Sequence, residues 1–215
     1  MIDEGKAAAN RAARRAKKQE YLSTIYDRHV ERFRAQTGQD ALALARDSHA
    51  GIDGLLARDL AQSPPVAEIR CARGCSHCCH GPVEIAAHEA ELLVAIVRAS
   101  GGVLDEGLLL RQSGYSVETW REQPLADRAC VFLGSDGACR AYESRPDACR
   151  KLLVTSNPAF CDTEKAATDR IDRWFSWEAE MMASAALEVF GLTLMPRALL
   201  NAWRGGNAAG QGLEP

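Results

Sequence analysis

Eight cysteines stand out in a chain of 215 residues, and four of them fall between Cys71 and Cys79. The first group reads Cys71-x3-Cys75-x2-Cys78-Cys79, inside CARGCSHCCHGP. The second is dispersed over Cys130, Cys139, Cys149 and Cys161. Thiolate is a soft ligand, so such sites suit zinc, iron–sulfur clusters or Cu(I) rather than magnesium or calcium. The N-terminal stretch MIDEGKAAANRAARRAKKQE carries no apolar signal segment, which points to a cytoplasmic, reducing setting. Eight thiols in that setting read as metal ligands before they read as disulfides. The adjacent pair Cys78-Cys79 departs from the C-x2-C spacing of a mononuclear structural zinc site. Neighbouring thiolates fit better as ligands to different metals of a cluster, or as one ligand beside one bystander.

The elements that carry these thiols follow from local pattern. A helical turn over Cys75–His80 is stopped by Gly81-Pro82, with His77 and His80 pointing away from the cysteine stripe. Two short apolar runs flank Gly134-Ser135-Asp136-Gly137, which predicts a β-hairpin. A four-residue loop would pair residue 133 with 138, face Cys139 toward Phe132 and place Cys130 on the same face. Those diagonal neighbours would lie roughly 7–8 Å apart, long for a disulfide and comfortable across a metal. Pro146 starts a helix with Asp147 at its N-terminus. Cys149 then sits near the positive helix end, beside Arg145, Arg150 and Lys151, where the thiolate is favoured.

The order Cys71-x3-Cys75-x2-Cys78-Cys79, Cys130, Cys139-x2-Tyr142-x2-Arg145-Pro146-x2-Cys149-Arg150 resembles the YkgJ-like cysteine-cluster proteins. A flagellin lysine methylase carries a similar cluster. The resemblance covers about residues 71–152. It implies a zinc- or iron-chelating domain with Cys71, Cys75, Cys78, Cys79, Cys130, Cys139 and Cys149 as ligands. Cys161 lies beyond the resemblance and joins the metal-ligand set on its residue type alone. Where family members often carry a Thr before the following Glu, this chain reads Ala86-Ala87-His88-Glu89, which leaves Glu89 without an assigned role.

The rest of the chain is helix-forming. It has 36 alanines and 13 aromatics, a composition that favours helices over a sandwich of sheets. Basic and acidic residues nearly balance, 26 against 29, so no global field marks a nucleic-acid binder. No apolar run approaches the ~18 residues of a membrane span.

Residues 1–65 are expected to form a helical hairpin of segments 3–36 and 39–62. Its basic first half, Lys6–Lys18, is a solvated helix end, and its apolar faces include His29 and His49. Residues 66–165 form the cysteine-cluster metal-binding domain. Residues 166–215 supply C-terminal helices that pack on it: one over Thr168–Phe190, with Glu178 in its apolar stripe, and one over Pro196–Trp203, followed by a loose tail.

The whole is mainly α with a small β-hairpin, an irregular cysteine-ligated metal core flanked by helices. Buried polar groups must be paired or ligated, so Glu178, His29 and His49 are candidates for an open metal position. Two functions follow. One is an iron–sulfur or iron centre used in redox or in peptide- or protein-modifying chemistry. The other is a zinc-stabilised, non-enzymatic binding or accessory module that meets a protein or peptide partner.

Overall fold

The computed structural model describes residues 4–164 and 171–210, and the side chains of residues 12–164 and 171–205. The molecule is mainly helical, with two small antiparallel strand pairs. Two long helices, α1 (Glu4–Ala35) and α2 (Ala41–Gln62), open the chain. Asp40 caps α2 by accepting a hydrogen bond from the Ala43 N–H at 2.8 Å. The 3-10 helix His77–His80 ends at Gly81, as the Gly-Pro pair predicts. Strand β1 (Glu84–Ile85) leads into α3 (Ala87–Ala99), followed by α4 (Glu106–Ser113) and the single turn α5 (Leu125–Arg128). Then come α6 (Asp147–Arg150), β2 (Leu153–Val154), β3 (Arg173–Trp174), α7 (Trp177–Phe190), β4 (Thr193–Leu194) and α8 (Met195–Gly210).

The strand pairs join distant parts of the chain. β1 pairs with β4, Glu84 opposite Leu194, and β2 pairs with β3, Leu153 opposite Trp174. The turn at 134–137 forms as expected, but only one bridge follows it, Leu133 opposite Cys139. Gly137 takes φ +76°, so the loop is Ser135-Asp136-Gly137 and the register moves by one residue from the expected 133–138 pairing. Cys139 therefore faces Leu133 and not Phe132. Cys130 has already left the strand, because its carbonyl accepts the Leu133 N–H in a tight turn.

Helix α7 begins nine residues later than the apolar stripe suggests; Thr168–Arg170 lie outside the described residues. Arg173–Trp174 is strand, and Ser176 caps the helix by accepting from the Ala179 N–H at 3.2 Å. Phe175 consequently leaves the core and stacks on Trp177 at 5.9 Å between centroids. At the other end of the chain, α8 continues through Gly205 to Gly210 and replaces the expected loose start of the tail.

Two apolar clusters hold the scaffold. α1 runs along α7, and α2 packs on both α3 and α7, burying Phe33, Ile52, Met182 and Ala185. On the other side α8 packs on α3 and α4 around Leu93, Leu109 and Leu199, with Cys130 and Cys139 against this cluster. Phe33 is fully buried. Its replacement by alanine removes a ring and leaves a cavity, so Phe33→Ala is expected to lower the unfolding free energy by about 3–5 kcal/mol in denaturant titrations.

His29 is buried in α1, and neither ring nitrogen has a hydrogen-bond partner. Burial lowers its pKa, as does Arg28, against the opposing pull of Glu178. A folded value below the unfolded one gives stability that is present above the unfolded pKa and lost as pH falls. The protein should lose stability as the pH drops below about 6.5, and His29→Leu should lose less over the same range. Urea unfolding at stepped pH reads this difference.

Candidate metal centre

All eight cysteines line one cavity of about 640 Å³. None of them is in a disulfide. The segments that bring them together are short and irregular, so backbone hydrogen bonds do the joining. The Cys130 N–H donates to the Cys79 carbonyl at 2.8 Å, which ties the two cysteine groups directly. The Arg70 N–H donates to the Val154 carbonyl at 2.8 Å, and the Val154 N–H points at Cys71 Sγ at 3.2 Å. Trp120 is buried and donates from Nε1 to the His80 carbonyl at 2.9 Å, anchoring the 3-10 turn.

Two glycines make the close approach possible. Gly74 sits between Cys71 and Cys75 at φ +93°. A Cβ on Gly137 would lie 3.2 Å from the Gly74 carbonyl oxygen.

Cys161 belongs with the first group. It stands on the 3-10 helix Pro158–Cys161, which packs on the turn at 77–80, and burial together with Cys71, Cys75 and Cys78 raises its pKa. Nearby, the buried Arg128 donates to Thr163 Oγ1 at 3.1 Å and pairs with Glu164, pinning the segment just after Cys161. Sequence spacing gives no sign of this latch, because Arg128 is simply one more basic residue in a polar loop.

The string after Cys139 acquires a role residue by residue. Tyr142 offers its ring to Arg145, whose guanidinium lies 4.1 Å from the centroid. Arg145 is a cation that four of the thiols face: it pulls down Cys71, Cys78, Cys139 and Cys149, while Arg73 also acts on Cys139 and Arg173 on Cys161. Pro146 precedes α6, and Arg150 bolts that turn to α2 through Asp53 Oδ2 at 2.6 Å. Burial nevertheless outweighs these cations. Cys149 is pushed up to about 12 by burial, with Cys78 and Cys139 adding to it, so the expected thiolate is not favoured before a metal arrives. Burial likewise pushes Cys130 up to about 12 against a hydrogen bond from the Phe132 backbone. Cys78 is raised by its hydrogen bond with Cys79 and by burial, while burial raises Cys71 and Cys139.

Of the polar core candidates, the structure brings only His49 toward the cavity. Glu178 lies in the first turn of α7 and pairs with Arg28 and with Arg58, the latter at 3.0 Å; His29 sits 3.7 Å from it. His49 instead meets Glu89 and Asp147, both of which line the cavity. Glu89 accepts from the Ala86 N–H at 2.9 Å and the Asp147 N–H at 2.7 Å. Burial opposes its charge, but His49 and these two N–H groups win and hold its pKa below the ordinary value. Asp147 is raised to about 7 by burial and by Glu89. Sequence reading gives Asp147 only a helix-start role; the acid at that position carries no signal of its burial.

A cavity walled by thiols in a helical scaffold defines a metal-chelating cysteine-cluster domain, and the donor set fits zinc or iron. Residues 70–174, just under half the chain, match the model of the CxxCxxCC family, described as a "putative zinc- or iron-chelating domain". The match includes Cys161, beyond the reach of the sequence resemblance. No curated protein and no solved structure matches the chain.

Raised thiol pKa values mean that ligation must expel protons. Loading the metal-free protein with zinc should release more than one proton per ion, and the apparent affinity should rise more than tenfold per pH unit near neutrality. Indicator absorbance in weakly buffered solution and competition with a chelator measure the two quantities.

Proposed function

We propose that the cysteine cavity holds an iron–sulfur or iron centre that carries out redox or protein-modifying chemistry. One observation carries this reading: eight thiols surround a single cavity of about 640 Å³, where a closed structural zinc site uses four ligands. Backbone hydrogen bonds to sulfur support it further, since such bonds tune the potential of iron–sulfur clusters. They reach Cys71 from Val154, Cys130 from Phe132 and Cys139 from Ala141. The cavity wall also carries Arg121, Arg145, Lys151 and Arg173, which suit an anionic substrate group or the negative charge of a thiolate cluster.

A zinc-stabilised accessory module is the second reading. It is favoured by which thiols act on one another, in two overlapping sets of four: Cys161 is raised by Cys71, Cys75 and Cys78, and Cys130 by Cys149, Cys139 and Cys78. Each set could complete a tetrahedral site. In that reading the exposed stacked pair Phe175 and Trp177, with Lys18 lying 3.6 Å over the Trp177 ring, offers a surface to a protein or peptide partner.

Anaerobic purification, a visible spectrum and elemental analysis distinguish the two. The iron reading expects broad visible absorption that bleaches on oxidation, with iron and acid-labile sulfide or iron alone. A colourless protein with stoichiometric zinc, and no activity gained on anaerobic reconstitution with iron and sulfide, overturns it. Zinc has a filled d shell and no redox chemistry, so the signatures do not overlap.

A further inference from the structure

One part of the cavity region presents donors unlike thiols. His49 of α2, Glu89 at the start of α3 and Asp147 at the start of α6 each offer one ligand atom, and the three atoms lie within 4.8 Å of one another. His49 is 5% exposed, and Glu89 and Asp147 are each 3% exposed. His49 Nε2 sits 3.5 Å from Glu89 Oε1 and 3.9 Å from Asp147 Oδ1. Neither Nε2 nor Oδ1 has a hydrogen-bond partner, although both are buried. Leaving such atoms unpaired is costly, so an occupant between them would be stabilising.

The carboxylates are held from outside. Glu89 takes the Ala86 and Asp147 N–H groups, and Asp147 Oδ2 accepts from the Ser48 hydroxyl at 2.5 Å. Bonds of this kind fix the orientation of ligating carboxylates.

We propose that His49, Glu89 and Asp147 form a second cation site, for a first-row divalent ion such as Mn²⁺ or Fe²⁺, separate from the thiol centre and bordering the same cavity. One imidazole and two carboxylates are donor types that both ions take, and Mn²⁺ in particular prefers oxygen donors to thiolate. Two carboxylates match the charge of a divalent ion. Arg150, the nearest cation, already has Asp53 and the Glu143 carbonyl as partners. Its contact with His49 Nδ1 is 3.3 Å, the longest that it makes. Ligation uses the lone pair of Nε2 and leaves the Nδ1 side for the proton, in which case Arg150 would rest on Asp53 and the Glu143 carbonyl alone. The site stands whether the thiols hold iron or zinc.

The test uses the full chain, purified anaerobically with its thiol centre intact and dialysed against citrate to remove weakly held ions. Mn²⁺ is added, and the loss of the free-ion electron paramagnetic resonance signal measures binding. One Mn²⁺ per chain should bind, and at least tenfold more weakly in His49→Ala and in Asp147→Asn. The visible spectrum and metal content of the thiol centre should stay unchanged in both variants. Failure of the thiol reading is thereby visible separately from failure of this one. Bound Mn²⁺ in the unmutated protein should also show spin-echo modulation from an imidazole nitrogen, a readout that does not depend on how the variants fold. Absence of Mn²⁺ binding, binding undiminished in both variants, or no imidazole coupling would each overturn the inference.

Discussion

The buried carboxylate of Glu89 is the point on which the arrangement turns. Its two oxygens receive the backbone N–H groups of Ala86 and Asp147, so one side chain closes the first turn of α3 and fixes the start of α6. α3 is part of the apolar scaffold, packed on α2 and α8, whereas α6 is a single turn with little apolar surface of its own. A one-turn helix is marginal in isolation. Glu89, the Ser48–Asp147 hydrogen bond and the Arg150–Asp53 pair attach it, and Cys149 goes where α6 goes. A neutral residue at 89 would leave two buried N–H donors facing a weaker acceptor, at a cost set by desolvation.

The same logic extends around the cavity. Thiols are poor at organising a chain by themselves, and most of these sit in turns too short to bury a core. Order is imported from the two helix clusters through a few polar ties. Cys130 reaches Cys79 by a main-chain bond, Cys71 reaches β2, and Arg128 draws in the segment after Cys161. The domain therefore depends on groups well outside the cysteine motifs, including α1 and α7, which contribute few of the residues lining the cavity.

The cysteine pattern was legible because ligand type and spacing are local properties. So were the helices over 4–35 and 41–62, whose apolar periods lie in the sequence itself. The hairpin register was not, since it depended on Gly137 adopting a left-handed conformation rather than on any feature of the strands. The late start of α7 was hidden by Trp174 and Phe175, which continue the helical stripe but are claimed by a strand pairing and an exposed stack. The meeting of His49, Glu89 and Asp147 was beyond reach for the same reason: the residues are 40 and 58 positions apart, and only tertiary packing makes them neighbours. An Ala at 86, where the family resemblance suggests a Thr nearby, even removed the usual helix-start cue that would have directed attention to Glu89.

The β1–β4 pairing has an effect on the order of events during synthesis. Glu84 waits for Leu194, and Val83 for the Met195 N–H, although Met195 also lines the cysteine cavity. Chain emerges at roughly 5–20 residues per second, so the first four thiols are made several seconds before the wall that shelters them. During that interval they are open to solvent, oxidants and any soft ion at hand. Whatever fills the finished cavity can therefore meet the first four thiols before the last third of the chain has folded over them.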